Sequence, residues 1–213
     1  MLYTKIKILL VTFAVVLTFE NVQSINNSKT MNEQNNELKT ATLAAGCFWC
    51  VEAVFQNLKG VEKVVSGYSG GHVKNPSYKE VCNGTTGHAE AIQLKYDPAV
   101  ISFEQILEVF WKTHDPTTLN RQGPDIGTQY RSVIFYHNDE QKRVAEDSKN
   151  LMSRSGYFNR PIVTAIESYK NFYEAEDNHQ NFYQNNLNQP YCRFRIDPKM
   201  DKLQKQFNDL FKE

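Results

Sequence analysis

The rhythm of apolar and polar positions changes several times along this chain, and each change marks an element. Thr40–Ala45 (TATLAA) is a short apolar run that ends at Gly46 and predicts a strand. Val51, Val54, Phe55 and Leu58 then fall at i, i+3, i+4 and i+7, one buried helical stripe, with Gly60 as its left-handed cap. Residues 61–68 (VEKVVSGY) predict a second strand. Residues 69–78 (SGGHVKNPSY) predict a Gly/Pro-rich loop long enough to carry function. In residues 88–96 (HAEAIQLKY) the period shifts to two, which sets Glu90, Ile92, Leu94 and Tyr96 on one strand face. Ser102 and Gln105 form a capping box for a helix over FEQILEVFWKTHD. Residues 130–138 predict another strand, Asp139 to Ser153 a charged helix closed by Gly156, residues 161–168 a strand, and about 198–211 a last amphipathic helix. Strands mixed with helices, without a strict β-α-β rhythm, predict an α+β fold: a single domain with a mixed, mostly antiparallel sheet flanked by helices.

The N-terminus follows a different pattern. Lys5 and Lys7 precede a nearly continuous apolar run, Ile8 to Phe19, and short side chains follow at Val22-Gln23-Ser24. The run is about a dozen residues against the roughly 20 that a membrane span needs. Residues 1–24 are therefore expected to be a cleaved signal peptide, and the protein to be exported, periplasmic or secreted. Residues 25–40 are polar, Asn-rich and aperiodic, as a flexible tether would be. Residues 41–213 make up one domain's length.

Charge narrows the partners. The chain carries 24 basic and 24 acidic residues, and without Lys5, Lys7 and Glu20 the balance is 22 to 23. Nothing in that balance points to nucleic acid or an anionic membrane, and a neutral, aromatic-rich domain fits a small-molecule or protein substrate. Four cysteines, Cys47, Cys50, Cys82 and Cys192, are too few to staple a domain of this size. Two of them lie three apart, closing a loop too small to stabilise much. Redox chemistry is the better reading.

Cys47 sits where a strand gives way to a helix, behind Gly46. Helix N-terminal amides stabilise anions, so a lowered thiol pKa and a nucleophilic role are expected. Cys50, one turn on, could condense with a sulfenic acid formed on Cys47. A zinc site would need a second ligand pair, and Cys82, His88 and Cys192 are scattered, so no metal is expected. Phe48 and Trp49 lie outside the helix's buried stripe and beside the thiol, where aromatic faces suit a sulfur-bearing side chain. Glu90 on an apolar face should have a raised pKa, the condition for a general acid near neutral pH. The polar segment 120–132 (NRQGPDIGTQYRS) offers Asp125 and Tyr130. The five histidines show no paired spacing and read as structural.

Together, GCFWCVE (46–52), GYSGGHVKNPSY (67–78), TGHAEAIQLKYDP (86–98), QGPDIGTQYRS (122–132) and AEDNHQNFY (175–183) resemble the peptide methionine sulfoxide reductase A family over about residues 41–207. The resemblance implies a ferredoxin-like α+β fold and reduction of methionine-S-sulfoxide, free or in proteins. By motif, Cys47 would attack the sulfoxide sulfur and Glu90 would protonate its oxygen. Tyr78 and Tyr130 would hydrogen-bond that oxygen beside Asp125, and Phe48 and Trp49 would enclose the ε-methyl. Cys50 is the first choice as resolving thiol, because the chain's end, MDKLQKQFNDLFKE, has neither Cys nor Gly. Cys192, on an expected loop, is the second, and Cys82 the third. The family uses an external dithiol such as thioredoxin, with no metal or organic cofactor, and a monomer is expected. The rival readings are a thioredoxin-like disulfide oxidoreductase built on Cys47 and Cys50, and a secreted binding module that uses the aromatics as a platform.

Overall fold

The computed structural model describes residues 37–212, so the expected signal peptide 1–24 and all but the end of the 25–40 tether lie outside the described residues. In chain order the fold begins β1 (Lys39–Ala45), α1 (Phe48–Gln56), β2 (Val61–Ser69), α2 (Tyr78–Cys82), β3 (Ala89–Tyr96) and α3 (Phe103–Thr113). A two-strand ribbon follows, β4 (Arg121–Gln122) with β5 (Asp125–Ile126), then β6 (Ser132–Tyr136) and α4 (Asp139–Arg154). The chain closes with β7 (Ala165–Ser168), β8 (Phe172–Glu174), α5 (Phe182–Asn185) and α6 (Asp197–Gln206).

The main sheet has the order β7-β6-β1-β3-β2-β8. Every neighbouring pair is antiparallel except β6 with β7, which are parallel and joined through α4, as a parallel crossover requires. The unit β1-α1-β2-β3-α3-β6, with spatial order β6-β1-β3-β2, is the split β-α-β arrangement of ferredoxin-like folds.

Period-two alternation decides which face each side chain serves. Ile92, Leu94 and Tyr96 enter the main core with Val54, Phe55 and Phe110, whereas Ala89 and Ala91 pack on the opposite face with Val133 and Phe135. The capping box of α3 forms as expected, Ser102 Oγ accepting from the Gln105 amide at 3.2 Å.

The structure moves several boundaries. Lys39 and Thr40 pair with Tyr96 and Lys95, so the tether stops two residues short of its expected end. Helix α1 ends at Gln56 rather than at Gly60, because Leu58 leaves it to bridge Phe211. Gly60 (φ +78°) instead serves the turn into β2, where a Cβ would lie 2.8 Å from Val100. The last helix breaks at Gln206 and finishes as a 3₁₀ turn, Asn208–Leu210. Residues 69–78 are a loop up to Ser77, which caps the short α2. His88 pins that loop: the Gly71 amide donates to its Nδ1 at 3.0 Å, and its Nε2 donates to the Val73 carbonyl at 2.8 Å.

Candidate active site

Strand β1 delivers the chain to the site through Gly46. Its φ is +86°, and a Cβ would stand 2.6 Å from the Gln122 side chain, so both backbone and space demand glycine. Cys47 caps α1, its carbonyl accepting from the amides of Cys50 at 3.1 Å and Val51 at 3.3 Å. From the sheet, the β2–β3 register sets Glu90 opposite Tyr68. Glu90 is 1% exposed, and the Phe48 amide donates to its Oε2 at 3.0 Å.

Burial sets the direction of two protonation equilibria here. Burial, helped by the negative charge of Asp125 and Cys50, lifts the Glu90 carboxyl to about 8 against the opposing pull of the Phe48 amide. Ionising it in place therefore costs roughly 5 kcal/mol more than in water. At neutral pH Glu90 holds a proton. The first amide of α1 is engaged by Glu90, and Cys47 does not show the lowered pKa expected from its position. Burial, Cys50 and the Glu90 charge push the Cys47 thiol up. Its hydrogen bond with Cys50 and the hydroxyl of Tyr191 act the other way on the partner, drawing the Cys50 thiol below its usual range. The pair therefore yields one proton readily and resists losing the second.

The aromatic wall assembles from five segments. Phe48 stacks against Tyr78 (6.2 Å, 20°) and lies 5.9 Å from Tyr68 and 5.5 Å from His179. Trp49 lies flat on Phe182 (3.7 Å, 8°) and meets Tyr191 edge-on at 5.7 Å. Glu176 holds the wall in place: its two carboxylate oxygens accept from the Tyr68 hydroxyl at 2.9 Å and the Tyr78 amide at 2.8 Å. Burial and the facing Glu90 charge push the Tyr78 and Tyr130 hydroxyls up, so both remain proton-bearing donors. Asp125 accepts from the Tyr191 hydroxyl at 3.4 Å, and that hydroxyl also hydrogen-bonds Cys50 at 3.6 Å.

The structure therefore brings together Cys47, Phe48, Trp49, Cys50, Tyr78, Glu90, Asp125 and Tyr130. Cys192 is not on an open loop. It is 0% exposed in a π-helical turn, Cys192–Ile196, and packs in the same apolar cluster as Cys47 and Cys50. Among the described residues, no three His, Cys, Asp or Glu side chains cluster as a metal ion would need.

Tyr191, His179, Phe182 and Glu176 were missed by the sequence reading. The stretch AEDNHQNFY contained three of them without revealing a role, and Tyr191 had no patterned signal. The Nδ1 of His179 and the Nε1 of Trp49 are buried beside the wall with no protein partner.

The family profile described as "Peptide methionine sulfoxide reductase" matches residues 39–210. Peptide methionine sulfoxide reductase MsrA of Leptospira borgpetersenii is 55% identical over 168 residues, which is 79% of this chain and 94% of the relative. Among solved structures, Mxr1 of Saccharomyces cerevisiae in its reduced form aligns with a TM-score of 0.65 at 37% identity, covering 73% of this chain and 90% of that one. Methionine sulfoxide reductase A of Corynebacterium diphtheriae aligns with a TM-score of 0.64 at 31% identity, covering 71% and 76%.

Proposed function

The chain belongs to the peptide methionine sulfoxide reductase family, and on that premise we propose how its residues carry out the reaction. It is a peptide-methionine (S)-S-oxide reductase, returning oxidised methionine to methionine. The sulfoxide's ε-methyl sits against Phe48 and Trp49, and its oxygen receives hydrogen bonds from Tyr78 and Tyr130. Glu90 donates its proton to that oxygen as Cys47 sulfur attacks the sulfoxide sulfur, and the Cys47 thiol proton passes to its hydrogen-bonded partner Cys50. Two electrons pass from the Cys47 sulfur to the substrate, the oxygen ends on Cys47 as a sulfenic acid, and methionine leaves. The Cys50 thiol then displaces that oxygen as water, forming a Cys47–Cys50 disulfide. A thioredoxin-type dithiol reduces the disulfide, becoming a disulfide itself.

The observation that carries this reading is Glu90: a buried carboxyl with its acid strength near 8, docked on the first amide of the helix that Cys47 caps. A chromophore-labelled methionine-S-sulfoxide, turned over with dithiothreitol by wild type and Cys47→Ser, tests it. Wild type is expected to reduce the S epimer and leave the R epimer, and Cys47→Ser to be inactive. An undiminished Cys47→Ser rate overturns the assignment.

Export is part of the same proposal. Residues 1–38 precede the family match, and residues 1–24 carry a basic, apolar, short-side-chain order that fits a cleaved signal. N-terminal sequencing of the protein recovered outside the cytoplasm tests this, with cleavage expected near Ser24.

A further inference from the structure

Two cavities meet at the side chains of Gln122 and Lys199. The smaller, about 150 Å³, opens on Cys47 and Cys50 between Asp125, Tyr191 and Arg195. The larger, about 530 Å³, lies beyond that shared wall at the C-terminal end of α3 and takes Lys112, Arg160, Lys199 and Lys202 into its lining. Gln122 is fixed as the partition, its amide group hydrogen-bonded to both the backbone N–H and carbonyl of Asp115 at 3.2 Å.

Charge is strongly segregated in this cleft, although the whole chain is neutral. Four cations line it against one carboxylate, Asp115. Asp115 is already engaged by Arg160 at 3.0 Å and by the hydroxyl and amide of Thr117 at 2.6 and 2.9 Å. Lys112 rests its ammonium 2.9 Å from the centre of the Tyr157 ring, and is held below its usual pKa by burial and by Lys202. His114, also in the lining, adds no charge. Burial drives it down to about 4, and its ring nitrogens are taken by the Phe110 carbonyl at 2.9 Å and Ser132 Oγ at 2.7 Å. Lys112 and Lys202 thus repel each other without a carboxylate of their own in the lining, while Lys199, in the shared wall, also acts on Asp125 of the smaller cavity.

We propose that this cleft is a subsite for Asp or Glu side chains flanking the methionine sulfoxide of a polypeptide substrate, so that oxidised methionines in acidic stretches are reduced preferentially. The proposal rests on the placement of the sulfoxide at Cys47. A group reaching the cleft past Gln122 and Lys199 would be covalently attached to the reacting residue. In a polypeptide, the anion within such reach is a carboxylate side chain.

The test uses three peptides of equal length, each with one methionine-S-sulfoxide flanked by Glu, Gln or Lys, reduced with dithiothreitol beside free methionine-S-sulfoxide. At low ionic strength kcat/KM should favour the Glu peptide over the Gln peptide about fivefold, the Lys peptide should be poorest, and high salt should erase the order. Lys202→Glu, an exposed position on α6, should abolish the Glu preference and leave free methionine-S-sulfoxide turnover unchanged; Lys202→Gln should give an intermediate ratio. Equal kcat/KM for Glu and Gln peptides, or a preference that survives Lys202→Glu, overturns the subsite while leaving the Cys47 reading intact. Failure of every substrate, free sulfoxide included, overturns both.

Discussion

The two sides of Cys47 are built differently. On the sheet side, Glu90 and Tyr68 are fixed by strand register, Phe48 by the first turn of α1, and Tyr78 by a capped helix tied to Glu176. On the other side, Tyr191, Cys192, Arg195 and Lys199 come from an irregular stretch that enters a π-helical turn and then α6. Regular hydrogen-bonded elements hold a proton donor within tenths of an ångström, which proton transfer demands. The second half of the proposed cycle needs movement. Cys50 must leave Tyr191 to close a disulfide within one helical turn, and a protein dithiol must then reach that bond. A π-helical turn is wound less tightly than an α-helix and such turns recur at functional sites, so rigidity and looseness are divided along the line of the two half-reactions.

The sharpest way to break this contrast lies on the rigid side. Glu90→Gln keeps the shape and removes the proton, so the reductase step should slow by about 10²–10⁴-fold while Cys47 still reacts with iodoacetamide. An unchanged single-turnover rate would remove the acid role. The wild-type rate of that step should fall as pH climbs past about 8, where Glu90 loses its proton. Stability follows the same group. Folding raises this carboxyl, so the folded state keeps a proton that the unfolded chain releases above roughly pH 4.3. Stability contributed there is present at low pH and is lost as pH rises through the window up to about 8. Glu90→Gln should flatten that decline in denaturant titrations across pH.

On the mobile side the effects should be smaller and depend on the reductant. Cys50→Ser should keep dithiothreitol-driven turnover within about twofold and lose at least tenfold with thioredoxin as reductant, since a small dithiol can reduce a sulfenic acid directly. If Cys192→Ser alone shows that split, the buried thiol resolves and Cys50 does not. Tyr191→Phe should have the mildest effect. Losing one hydrogen bond, worth about 1 kcal/mol, should raise the pH midpoint of Cys50 alkylation by no more than about one pH unit. A larger change would mean that the irregular segment is as tightly coupled to the chemistry as the sheet.

Legibility divides along the same line. Glu90 could be found because a two-residue period put a carboxyl among Ile92, Leu94 and Tyr96, and the same alternation made its burial predictable. Cys47 was marked by the strand-to-helix junction at Gly46, although its protonation was misjudged, because the burial that pushes its thiol up comes from packing against residues remote in the chain. Tyr191 and Cys192 lie in QPYCRFRID, where no period shows, and the expected loop proved to be a π-helical turn that buries Cys192.

By itself the sequence determined the order of the longer strands and helices, the core face of β3, and the motifs that place a thiol, an acid and an aromatic pair in one fold. Local patterning suffices there, because burial acts on each residue through its own position on a helix or strand. Only the tertiary structure decided which amide Glu90 would occupy, which thiol of the pair would shed its proton, and that a tyrosine 141 positions beyond Cys50 would bridge it to Asp125. Those outcomes depend on distances between groups remote in the chain, and burial strengthens such interactions by removing the water that would screen them.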